Sequence, residues 1–173
     1  MRAAATRRAF YAGLSLAVLA LDQWSKSWAA ARLRTGPDVD VIPGLLRFTY
    51  AENPGIAFSF LNSGAQTTRW GLAAFSSLAA LVVVGFAVRT PAFSWRLQTT
   101  FALLFAGIVG NLIDRVQMGR VIDFIDVYVN THHWPTFNVA DSAISVGAVF
   151  LALELFRHEQ PSATPEPATP DEG

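Results

Sequence analysis

Residues 70–88 read WGLAAFSSLAALVVVGFAV, an apolar stretch without a single charged side chain. A helix crosses a hydrocarbon core of about 30 Å with roughly 20 apolar residues, and this stretch meets that need. Working outward, Leu97–Ile113 is likewise free of charge. Phe10–Leu21 is apolar up to Asp22 and Lys26, and Ala29-Ala30-Ala31 follow. Val139–Leu153 carries one charged residue, Asp141. The spacing predicts four transmembrane helices, over about 10–30, 69–88, 97–115 and 136–156. A buried soluble core is the rival reading of each block, but four such blocks in 173 residues leave too little polar chain to cover them. A cleavable signal peptide is a further rival for the first block, where Arg2, Arg7 and Arg8 precede the apolar run. Asp22, Trp24, Lys26 and Trp28 interrupt the region where cleavage would fall and speak against it.

The composition agrees with a membrane protein. Hydrophobic residues make up 52% and charged residues only 15%, against about 25% charged in a soluble domain. The 13 basic and 13 acidic residues cancel, which leaves no basic excess for nucleic acid. With no cysteine, disulfides, thiolate-bound zinc, iron–sulfur clusters and thiol nucleophiles are excluded. Neither GxSxG nor HExxH occurs, so serine-hydrolase and zinc-protease signatures are missing.

Arginines crowd the short segments: Arg2, Arg7 and Arg8 before the first helix, Arg89 and Arg96 around the second loop. The positive-inside tendency then puts both termini in the cytoplasm and the long loop 31–68 outside. In that loop Leu46, Phe48 and Tyr50 alternate with Arg47 and Thr49, which predicts a short strand. Asn53-Pro54-Gly55 reads as a turn. The apolar run 56–61 is expected to lie on the membrane surface or pack on the strand. Residues 1–158 form one membrane-embedded domain. The acidic, proline-rich 159–173 is expected to be a disordered cytoplasmic tail.

Charged groups inside a bilayer are costly and are functional candidates by default. Asp22, Asp114, Asp123, Asp126 and Asp141 all qualify. Helix three ends with Asn111 and Arg115 on one face, at i and i+4. Asp123 and Asp126 follow inside the greasy segment 121–129. If helix four starts near Pro135, Asp141 lies roughly 9 Å below its start, with Asn138 one turn above. With Asn53 in the outer loop, these groups gather at one depth just inside the outer face. Each has a plainer reading. Asp22 and Lys26, at i and i+4, are expected to form a structural ion pair. Asp114 and Arg115 read as helix-end charges, and Asn138 with Asp141 reads as a helix cap. His132 and His133, being adjacent, diverge and suit a surface role better than metal ligation. Two carboxylates within hydrogen-bond reach share one proton. One then takes a proton from water while the other donates to a carbonyl oxygen, the aspartic-protease solution to peptide hydrolysis. The alternative function is a proton- or ion-coupled transporter subunit, which predicts polar residues spread along a path and internal repeats.

Four motifs carry a resemblance. Asn53-Pro54-Gly55-Ile56-Ala57-Phe58, Gly110-Asn111-Leu112-Ile113-Asp114-Arg115, Val121-Ile122-Asp123-Phe124-Ile125-Asp126 and Phe137-Asn138-Val139-Ala140-Asp141-Ser142 stand in order. Together with Asp22-Gln23-Trp24-Ser25-Lys26 they resemble bacterial lipoprotein signal peptidase, signal peptidase II, over about residues 10–156. The resemblance implies an all-α polytopic aspartic endopeptidase of the bacterial inner membrane, with four transmembrane helices and a small extracytoplasmic β-element. It implies diacylglyceryl-prolipoprotein substrates, cut just before the lipidated cysteine, with membrane lipids as surroundings. It implies Asp123 and Asp141 as the catalytic pair, and Asn53, Gly55, Asn111, Arg115, Asn138 and Ala140 as substrate-site residues. No metal or organic cofactor is expected, and the protein is expected to act as a monomer.

Overall fold

The computed structural model describes residues 2–55 and 64–158. The expectations for the apolar run 56–61 and for the tail 159–173 therefore fall outside the described residues. The described residues form four helices and four strands: α1 (Arg2–Arg32), β1 (Val39–Ile42), β2 (Leu46–Asn53), α2 (Gly64–Arg89), α3 (Trp95–Met118), β3 (Val121–Val129), β4 (His132–His133) and α4 (Val139–His158).

Helix α3 is the centre of the bundle, with α1, α2 and α4 all packed on it. Its neighbours approach closely because the contact carries small residues. A Cβ on Gly110 would sit 2.5 Å from an Asp22 oxygen and 3.3 Å from the Ala140 methyl. Among the described residues three helices, α2, α3 and α4, are long and apolar enough to cross a membrane. The sequence expectation of four differs at α1, where Arg7, Arg8, Asp22, Gln23 and Lys26 lower the hydropathy. At one end of the bundle the Arg8 guanidinium donates to the carbonyls of Ala87, Val88 and Thr90 at 3.2–3.3 Å. That cation satisfies carbonyls at the end of α2, which have no partner within the helix.

The sheet covers the other end, in the order β1-β2-β3-β4, with the strands antiparallel. In its centre Arg47 faces Asp126 and Ala51 faces Asp123, with a bulge between Phe48 and Ala51. Trp28 of α1, Phe48 of β2 and Phe124 of β3 meet edge to face at centroid distances of 5.6–6.5 Å. This aromatic cluster, over buried Ala29 and Leu33, fixes the sheet on α1.

Two boundaries differ from expectation. Residues 121–129, read as an apolar connection, are the longest strand, so the small β-element expected beside the helices is a four-stranded sheet that also includes the expected strand at Leu46–Tyr50. Helix four begins at Val139 instead of 136. The reason is that Phe137 is held as strand: its N–H donates to Ile125 O at 3.0 Å, and its carbonyl accepts from Phe124 and Ile125 at 3.0 and 2.8 Å. Asp141 consequently sits in the first turn of α4 rather than deeper along it.

Candidate active site

The start of α4 organises the site. Asn138 caps the helix: its Oδ1 accepts from the Asp141 N–H at 2.9 Å. Asp141 Oδ2 in turn accepts from the Asn138 N–H at 3.3 Å. This is the reciprocal capping box, so the plain reading of Asn138 and Asp141 as a helix cap is realised. It uses only half of each side chain. Asn138 Nδ2 points the other way and lies 2.7 Å from Asp123 Oδ1, and the second oxygen of Asp141 lies 2.7 Å from Asn111 Nδ2. One residue thus bridges the two carboxylates, holding Asp123 with its amide and Asp141 with its backbone.

Asp123 arrives from β3 and is 2% exposed. Its other oxygen accepts from Asn53 Nδ2 at 3.0 Å. Asn53 is oriented by its own turn, because its Oδ1 accepts from the Gly55 N–H at 2.9 Å. Gly55 adopts φ 83°, and a Cβ there would collide with Leu72 at 2.4 Å. The glycine therefore seats the turn on α2. Asp123 is met by two neutral amides. Burial first, and the charge of Asp141 second, push its carboxyl up to about 6, against the lowering effect of the Asn53 and Asn138 hydrogen bonds and of Lys26. Asp141 is partly exposed and Asn53 exposed, so the site opens on that side.

Beneath the carboxylates lies a buried charged cluster. Lys26 Nζ lies 2.9 Å from Asp22 Oδ2, 2.9 Å from Asp114 Oδ2 and 2.9 Å from Asn111 Oδ1. Asp22 Oδ1 accepts from the Ala140 N–H at 2.8 Å, and Asp114 Oδ2 accepts from the Ile122 N–H at 3.3 Å. Asp114, read as a helix-end charge, instead joins α1, α3 and β3. Local spacing holds no sign of this, because the partner lysine is on another helix. Ala140 sits in the wall through its backbone and is fully buried. Arg115 donates to the carbonyl of Asn111 at 3.3 Å, one turn earlier on its own helix. Arg69, which sequence reasoning passed over, donates to the carbonyls of Arg115 and Val116 and secures the end of α3.

Asp126 has no part in this assembly. It pairs with Arg47 Nε at 2.7 Å and with His133 Nδ1 at 3.0 Å. Side chains alternate along a strand, so an offset of three residues sends Asp123 and Asp126 to opposite faces. Among the described residues no group of His, Asp and Glu side chains is arranged to hold a metal ion.

Comparison with known proteins identifies the family. The family model described as Signal peptidase (SPase) II matches residues 14–157. A lipoprotein signal peptidase of Geobacter metallireducens is 44% identical over 143 residues, covering 82% of this chain and 87% of that protein. One of Shewanella halifaxensis is 41% identical over 146 residues, covering 80% and 81%. Two solved structures, each described as a bacterial membrane enzyme, superpose with TM-scores of 0.77 and 0.76. They are 27% and 31% identical and cover 90% and 86% of this chain, and 93% and 94% of their own. With the family model spanning nearly the whole helical bundle and both carboxylates inside it, the chain belongs to the signal peptidase II family.

Proposed function

We propose that the protein removes the signal peptide from diacylglyceryl-modified prolipoproteins, cutting just before the lipidated cysteine, with Asp123 and Asp141 activating water. The observation that carries this reading is the bridge through Asn138. It holds both carboxylates on neutral hydrogen-bond donors. A water between the carboxylates gives a proton to the ionised one as its oxygen attacks the scissile carbonyl. The protonated one donates to the carbonyl oxygen, and the tetrahedral intermediate then collapses with proton transfer to the leaving nitrogen. Asn53, Asn111 and Asn138 hold the carboxylates, while Gly55 and Ala140 keep the walls close. Arg115 supplies a fixed charge at the rim. The transporter reading has no support, since the polar groups converge at one end of the bundle and the family is a peptidase family.

Placement in the membrane follows the same logic. The two charged side chains in the body of α1, Asp22 and Lys26, are buried, while Phe10, Leu16, Leu21 and Trp24 are exposed. That inside-out pattern supports α1 as a fourth span. The arginines at the Arg8 end support cytoplasmic termini and a site near the outer face of the inner membrane. Reporter fusions after Gly64 and His132 are expected to read outside, and fusions after Phe93 and Ser162 inside. An outside signal at Phe93 inverts the topology.

The deciding experiment is cleavage of a lipidated prolipoprotein by the purified protein in proteoliposomes, with the released signal peptide identified by mass. Asp123→Asn and Asp141→Asn serve as controls. Cleavage by either folded variant at the wild-type rate overturns the assignment of the pair.

A further inference from the structure

Lys26 is more than half of an ion pair. An ammonium group has three N–H donors and no acceptor. All three are used here, on Asp22, Asp114 and Asn111, each at 2.9 Å. The third contact has a consequence for the site. Only an oxygen can face an ammonium, so Lys26 dictates which end of the Asn111 carboxamide points toward α1. The Nδ2 end is thereby turned toward α4, where it lies 2.7 Å from Asp141 Oδ1. Asn138 Nδ2 reinforces the same orientation from the other side, 3.2 Å from Asn111 Oδ1. Without the lysine, the Asn111 oxygen would keep a single donor, Asn138 Nδ2, to hold it away from Asp141.

The same cluster fixes the other coordinates of Asp141. Asp22 Oδ1 holds the Ala140 N–H at 2.8 Å, one residue before Asp141. Gly110 leaves the space for that carboxylate to pass between α3 and α4. The first turn of α4 is thus tied to α1 through Asp22, and its catalytic side chain is tied to Lys26 through Asn111.

We infer that Lys26 is a positioning residue for the reaction: through the Asn111 carboxamide it presents an N–H donor, rather than a carbonyl oxygen, to Asp141. This rests on the reading of Asp123 and Asp141 as the catalytic pair. The test is steady-state cleavage of lipidated prolipoprotein by the purified full-length protein in proteoliposomes. Lys26→Met is expected to lower kcat on the order of 100-fold, the scale of a misplaced catalytic group, with KM unchanged. In an Asn111→Ser background the same change is expected to lower kcat no further, while the losses in thermal stability still add. Lys26→Met leaves Asp22 and Asp114 without their cation, so Lys26→Met with Asp114→Asn is measured beside it and is expected to show the same kcat loss. Full kcat in either folded variant, or kcat losses that add with Asn111→Ser, overturns the inference. Asp141→Asn separates the two layers. If it is inactive while Lys26→Met is fully active, the pair stands and the positioning role falls. If Asp141→Asn is itself active, the pair falls.

Discussion

Asp123 and Asp126 lie three residues apart on one strand, both nearly buried, and meet opposite surroundings. Asp126 is paired with the Arg47 guanidinium and hydrogen-bonded to the His133 imidazole. Burial alone would raise its pKa, but hydrogen bonds from His133 and Arg47 outweigh that and hold it below the ordinary carboxylate range. Asp123 faces the amides of Asn53 and Asn138, and a second carboxylate adds to burial in pushing it up to about 6. The difference teaches that a counter-ion keeps a buried carboxylate ionised, whereas burial beside a second carboxylate, offset only by neutral donors, favours its protonated form. Asp22 and Asp114 repeat the first arrangement around Lys26.

The contrast breaks most directly by removing charge without changing shape. Asp123→Asn and Asp141→Asn are each expected to abolish cleavage with thermal stability near that of the parent. Asp126→Asn is expected to keep cleavage. Activity assays beside thermal melts of the three purified variants check this, and an inactive, folded Asp126→Asn protein would erase the distinction.

The next effect is on pH dependence. With Asp123 raised to about 6, the pair loses its shared proton above that point, so kcat is expected to fall as pH rises through about 6. The stability of the fold carries the same signature. The native state binds this proton more tightly than the unfolded chain between 3.8 and about 6, so stability falls as pH rises across that window. Asp123→Asn is expected to remove that slope in denaturant titrations. Asp126 has the reverse sign: its contribution is present above the ordinary carboxylate value and is lost as pH falls through its depressed one.

A smaller change sharpens the role of the neutral donors. Asn53→Ala removes a hydrogen bond that lowers Asp123. It is expected to shift the falling limb of the pH profile upward and to reduce turnover by roughly tenfold, the scale of one hydrogen bond. A profile that stays in place would show that Asn53 does not act on Asp123. The smallest expected effect is that of Asp126→Asn on stability, a drop in Tm of about 3 °C, as for the loss of a partly solvent-screened pair.

Much of this contrast was legible before any coordinates. Carboxylates embedded in greasy sequence are conspicuous, and the order of the motifs around Asn53, Asn111, Asp123 and Asp141 is distinctive. The helices α2 and α3 end close to where charge and proline punctuate the chain. The remainder depended on long-range contacts. Strand β3 is hard to recognise because VIDFIDVYV is apolar on both faces and its two aspartates are three apart, which breaks the alternation of a half-buried strand. The start of α4 was misplaced because nothing near Phe137 reveals that its backbone is claimed by Ile125. The pairing of Asp114 with Lys26, and of Asp126 with His133 and Arg47, joins residues whose spacing carries no local pattern.

The hydrogen bond from the Ala140 N–H to Asp22 spans 118 positions of the chain. Together with the bridge from Asn138 to Asp123, it sets a timetable for activity during synthesis. Asp123 can be presented on a strand once β2 and β3 have met, yet nothing holds it opposite a second carboxylate until the chain beyond residue 141 has been made and α4 has docked on α1 and α3. On the proposed pairing of Asp123 with Asp141, the nascent chain is therefore expected to be inert toward the greasy segments around it, its own included, until α4 docks.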